Sequence, residues 1–134
     1  MPKVIHFQIF ADDIERAKKF YTSVFDWKME KISLNNVDHY FIFSKDYEQE
    51  SFGHITKREQ KINCIVDYIG VTSIEESFKK IEENNGTVMI PKTAINGYGW
   101  YALCRDSEGN IFGLWEEKKV MTDIQKKNQI NTQS

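Results

Sequence analysis

The spacing of apolar positions along the chain changes several times, and each change marks an element. In "VIHFQIF", Val4 to Phe10, alternation puts Ile5, Phe7 and Ile9 on one face and Val4, His6, Gln8 and Phe10 on the other. The first set reads as core. Two polar residues in the second suggest a face that lines a polar cavity, the alternative being that His6 satisfies a hydrogen bond inside a packed interior. From Asp12 the spacing turns helical: Ile14, Ala17, Tyr21, Val24 and Phe25 form a stripe, with Glu15, Arg16, Lys18 and Lys19 outside it. Asp12 or Asp13 can cap this helix, because a carboxylate accepts the unpaired N–H groups of the first turn. Strands are expected at Lys28–Leu34, His39–Ser44 and Gly53–Lys57, with "KDYEQES" a solvated loop. After the connector "REQKIN", Cys64–Val71 reads as another strand. A second helix follows in "TSIEESFKKIEENNG": Ser73 and Glu76 have capping-box spacing, Ile74, Phe78 and Ile81 make the stripe, and Asn85-Gly86 ends it. Thr87–Thr93, Trp100–Arg105 and Ile111–Glu117 complete the strands.

The order is βαβββ twice, in modules of about 3–60 and 61–117. A shift of 60 residues lays Ile9 on Ile69, Ile14-Glu15 on Ile74-Glu75 and Lys19 on Lys79. Two copies of one unit must bury their sheet faces against each other or around a shared cavity. Residues 121–134 read as a polar tail, in which Val120, just before it, Met121, Ile124 and Ile130 offer apolar contacts to a partner subunit.

Composition narrows the class. A chain of 134 residues predicts one domain, 1–120, large enough to fold without staples. Its 40% hydrophobic content and net charge of -2 argue against disorder and give no electrostatic case for nucleic acid or an anionic membrane. No apolar run approaches a membrane span, and "MPKVIHFQ" lacks the order of a signal peptide, so a cytoplasmic location is expected. Cys64 and Cys104 stand alone inside apolar runs and read as buried free thiols.

Two stretches carry a resemblance. "HFQIFADDIERAKKFYTSVFDW" together with "GYGWYALCRDSEGNIFGLWE" resembles the vicinal oxygen chelate superfamily, which includes glyoxalase I, bleomycin-resistance proteins and extradiol dioxygenases. It is most similar to the branch labelled lactoylglutathione lyase-related, over about residues 3–117. The resemblance implies an α+β fold, a cupped mixed sheet of paired βαβββ modules around a cavity with the helices outside. Metal-dependent members hold a divalent ion with one side chain from the first and last strands of each module, and the ion acts as a Lewis acid. On those positions His6 matches, and His54 falls close to the second ligand. The third and fourth positions hold Val66 and Gly113, which bring no donor. Two histidines fall short of the three protein ligands of a typical catalytic zinc site. No cofactor is therefore expected, His6 and His54 are only weak candidates for a divalent metal, and a lactoylglutathione lyase proper is disfavoured. Gly113 is either a missing ligand that leaves cavity space or the site of a bulge or close strand packing.

The expected ligand-binding residues are His6, Gln8, His54, Gly113 and Trp115, with Tyr98, Trp100 and Tyr101 from a glycine-flanked aromatic loop, at least one of whose rings core packing alone would explain. His39 reads as a turn residue with no role. Glu116 or Glu117 would serve as a general base only if buried. Two functions stand side by side, with no catalytic residue to name. The favoured one is binding of a small apolar or aromatic molecule without a tightly held metal, in a homodimer. The other is a lyase, isomerase or dioxygenase using an incomplete metal site or metal-free acid–base catalysis.

Overall fold

The computed structural model describes residues 2–46, 50–58 and 62–119. Its elements run β1 (Lys3–Ala11), α1 (Ile14–Phe25), β2 (Lys28–Leu34), β3 (Val37–Phe43), β4 (Gly53–Lys57), β5 (Val66–Gly70), α2 (Ile74–Glu83), β6 (Thr87–Ile95), β7 (Gly99–Arg105) and β8 (Ile111–Glu117). β1, β6 and β7 run one or two residues past the expected ends, and two other strands differ more. β3 starts earlier because Asn35 and Asn36, at φ 51 and 64, make a two-residue left-handed turn, so His39 lies within the strand. β5 is shorter, which leaves Cys64 outside it and exposed, a correction to the expected buried thiol. Cys104 is buried, and burial pushes its thiol up to about 11.

All eight strands form one curled, mixed sheet in the order β2-β3-β4-β1-β5-β8-β7-β6. The modules join through β1 and β5, which run antiparallel at its centre, while β1 with β4 and β5 with β8 run parallel. Both helices lie on the outer face. Asp13 caps α1 by accepting from the Arg16 N–H, and Ile14, Ala17 and Tyr21 pack on Ile9, Tyr40, Ile42 and Ile55. Val24 and Phe25, expected in the buried stripe, stay 55% and 53% exposed, beside an equally exposed Phe20. Ser73 caps α2, whose Ile74, Phe78 and Ile81 pack on Ala102, Cys104 and Leu114. A third cluster joins Ile62, Val66, Tyr68 and Leu103 to Phe10, Ile90, Tyr101, Ile111 and Trp115.

Glu116 is committed to this framework. One carboxylate oxygen accepts from the Ile74 N–H at 2.9 Å, and the other lies 3.4 Å from Lys92 Nζ. It ties the start of α2 to the sheet, which corrects its candidacy as a general base; Glu117 is exposed. Among the described residues no helix is long and apolar enough to cross a membrane. The expected tail, with Val120, Met121, Ile124 and Ile130, lies outside the described residues.

Candidate functional site: the inner face of the sheet

Alternation along β1 sends Phe7 and Ile9 under α1 and leaves His6 and Gln8 on the opposite, inner face. Register then decides their neighbours. Gln8 stands beside His54 of β4 on one side and Val66 of β5 on the other, while His6 stands beside Tyr68. Phe41 of β3 pairs with His54.

The deeper row is a closed polar chain across three strands. Tyr68 donates its hydroxyl to Gln8 Oε1 at 2.6 Å, and Gln8 Nε2 donates to Thr56 Oγ1 at 2.9 Å. All three side chains are buried, so the bonds satisfy groups that would otherwise be costly. Burial, with Tyr101 nearby, pushes the Tyr68 phenol well above its usual range and keeps it protonated.

The second row is imidazole. His6 Nε2 and His54 Nδ1 lie 2.6 Å apart with their rings stacked at 4.8 Å, so one nitrogen donates and the other accepts. Phe41 stacks on His54 at 5.4 Å, and the His39 ring lies 5.5 Å away from it. Burial lowers His6 to about 4, against a hydrogen bond to the Ser51 backbone. His54 is held well below its usual value by burial, then by His6 and His39. Burial also lowers His39, against Asp38 and a hydrogen bond to the Leu34 backbone. The row is thus neutral at pH 7, and His39 Nδ1 is buried without a partner.

Gly113 has a definite occupant. It lies beside Tyr68 in the β5–β8 register, and a Cβ there would collide with the Tyr68 ring. The space that a missing ligand was expected to leave is filled, so close packing is the role this position serves. Val66 is fully buried. Among the described residues no group of three or more His, Cys, Asp or Glu side chains is placed to hold a metal ion. The donors do not fit the four-ligand centre that the superfamily implies, and the two histidines nearest to it are engaged with each other.

The other expected contacts divide. Tyr101 and Trp115 are cross-strand partners in the inner-face cluster. Trp100, one residue along the strand, points the opposite way, into the α2 cluster with Lys92 Nζ 4.7 Å over its ring; this corrects its assignment to the cavity. Tyr98 sits 53% exposed at the β6–β7 tip. It lines a hollow of about 410 Å³ with Ser33, Leu34, Asn35, Asn36 and Asn96. A second hollow of about 480 Å³ is lined by Asp12, Asp13, Ile14, Asn36, Val37, Asp38 and Lys57. Neither is lined by His6 or His54, which are half-buried, or by Gln8, which is buried. His39 is the member of this wall that sequence reasoning missed; its alternation with Phe41 would have shown it, had the Asn35-Asn36 turn been read as the strand boundary.

Residues 3–38 match the family described as bleomycin resistance protein-like N-terminal. No curated protein matches the chain. Among solved structures, a hypothetical protein from Bacillus halodurans C-125 superposes with a TM-score of 0.65 at 18% identity, covering 91% of this chain and 99% of that one. A glyoxalase/bleomycin resistance protein/dioxygenase superfamily member from Vibrio splendidus 12B01 gives 0.61 at 10% identity, covering 87% and 100%. Methylmalonyl-CoA epimerase from Mycobacterium tuberculosis gives 0.61 at 10%, covering 87% and 88%. The fold is that of the vicinal oxygen chelate superfamily.

Proposed function

We propose that this chain, built on the vicinal oxygen chelate fold, binds a small apolar or aromatic molecule against its inner face without a tightly bound metal. One observation carries the reading. The imidazole row of His6, His39 and His54 stands on one half of the sheet, and the cluster of Leu103, Tyr101 and Trp115 on the other. Ring faces of this kind favour a planar apolar partner by about 0.5–1.5 kcal/mol per aromatic pair beyond area burial. Neutral imidazoles add hydrogen bonding without attracting an anion.

The contact between His6 and His54 also favours a second reading, metal-free acid–base catalysis with one imidazole orienting the other. It is the weaker of the two, because burial depresses the basicity that proton abstraction would need. We further propose a cytoplasmic location, supported by the two free cysteines, and a homodimer, supported by the exposed Phe20, Val24 and Phe25 of α1.

Native mass measurement of the purified protein, followed by calorimetric titration with 1-naphthol, tests the binding reading. Retention of a small molecule or saturable naphthol binding that is lost in Trp115→Ala is the expected result. Elemental analysis showing about one zinc, nickel or iron per chain would overturn the metal-free part, since a catalytic zinc site takes about three protein ligands that this face does not assemble.

A further inference from the structure

β2 and β6 stand at opposite ends of the strand order, yet their ends meet. Asn35, at the β2–β3 tip, donates its side-chain amide to the Ala94 carbonyl in β6 at 3.1 Å. The curl of the sheet therefore brings its two free edges together, and a side-chain bond bridges them. Left-handed backbone explains why the turn is built of asparagines, with φ 51 at Asn35 and 64 at Asn36. It does not explain why the Asn35 amide reaches across to the facing edge. At this junction lies the hollow of about 410 Å³ between the hairpin tips. Leu34, one of its walls, pairs with Val37, which shares its face of β3 with His39 two residues on, so the hollow adjoins the outer end of the imidazole row.

We propose that the Asn35–Ala94 bond is a latch between the two hairpin tips, and that small molecules reach the inner face through the hollow when it opens. A single exposed bond suits that purpose. It is strong enough to favour the closed edge and weak enough to break often, whereas a ladder of strand pairs between β2 and β6 would seal the sheet into a barrel. The purpose of the latch rests on the inner face being the binding surface, but its existence can be tested without a ligand.

The probe is diethyl pyrocarbonate, which acylates neutral imidazole. The chain has three histidines, all in the row that the latch would cover. Asn35→Gly removes the amide while tolerating the positive φ, and Asn36→Gly makes the same backbone change and keeps the latch. Acylation of His6, His39 and His54 is followed by peptide mass, and alkylation of Cys104, fully buried under α2, reports global opening. Loss of one hydrogen bond predicts acylation about fivefold faster in Asn35→Gly, with Asn36→Gly near wild type and Cys104 alkylation unchanged. Equal rates in all three proteins, or a rise that Cys104 alkylation follows, would overturn the latch. Faster acylation with no naphthol binding would overturn the binding function and leave the latch standing.

Discussion

The two modules share an element order and differ in what they present inward. In the first, Lys3–Lys57, Gln8 faces His54; in the second, Val66–Glu117, Tyr68 faces Gly113 at the equivalent pair of strands. The pairs His6 with Tyr68 and Gln8 with Val66 across the central seam are related by the same pseudo-twofold. Val66 thus stands where His6 stands, Tyr68 where Gln8 stands, and Gly113 where His54 stands. One half offers stacked imidazoles, and the other a ring lying on a bare backbone. Equivalent strands thus carry a polar wall in one half and an apolar wall in the other, and the difference lies in side chains alone.

Filling the second half should produce the largest effect. Gly113→Glu forces the Tyr68 ring out of its place and buries a carboxylate, at a cost on the order of 3 kcal/mol or more, read by a thermal melt. Zinc affinity by calorimetry should not rise. Adding Tyr68→Ala frees the space, and a gain in zinc affinity in that double variant would show that the ring alone separates the modules.

Acid should distinguish the halves next. His6 falls from 6.5 to about 4 on folding, so the unfolded chain binds a proton that the folded chain refuses. Stability held above pH 6.5 is lost as the pH falls towards 4, by roughly 3 kcal/mol for a shift of this size. All three histidines belong to the first module, and His6→Gln should flatten the profile of melting temperature against pH. An unchanged slope would place the acid sensitivity elsewhere.

Smaller effects test how the halves are tied. Tyr68→Phe leaves Gln8 Oε1 without its donor and should cost about 1–2 kcal/mol in denaturant unfolding. Asp13→Ala removes the side-chain cap of α1 and should cost about 1 kcal/mol, whereas Ser73→Ala should cost less because Glu116 still holds the start of α2. Equal losses would show that Glu116 adds nothing.

Much of this was legible from spacing alone. Three-six periodicity and capping residues located both helices, and strict alternation put His6 and Gln8 opposite Phe7 and Ile9. The misses have local causes. Alternation makes Trp100 and Tyr101 face opposite ways, so treating "GYGWY" as one aromatic loop merged two surfaces. The 60-residue shift lays Gly53 on Gly113, but β4 and β8 are offset by one residue from that shift. Gly53 therefore lies under Phe7 on the outer face, while Gly113 lies under Tyr68 on the inner one. A ring that fills the space over a glycine leaves no mark in spacing, because it depends on which strands become neighbours.

The bond between Tyr68 and Gln8 bears on symmetry. The two residues are 60 apart and occupy matching places in the two modules, so an assembly of two identical single modules would set the same side chain against itself there. A phenol donating to an amide oxygen requires two different residues at equivalent positions. Two different modules can make such a pair and two identical ones cannot, so the central seam of this sheet carries a pseudo-twofold symmetry with a contact that no symmetric homodimer could make.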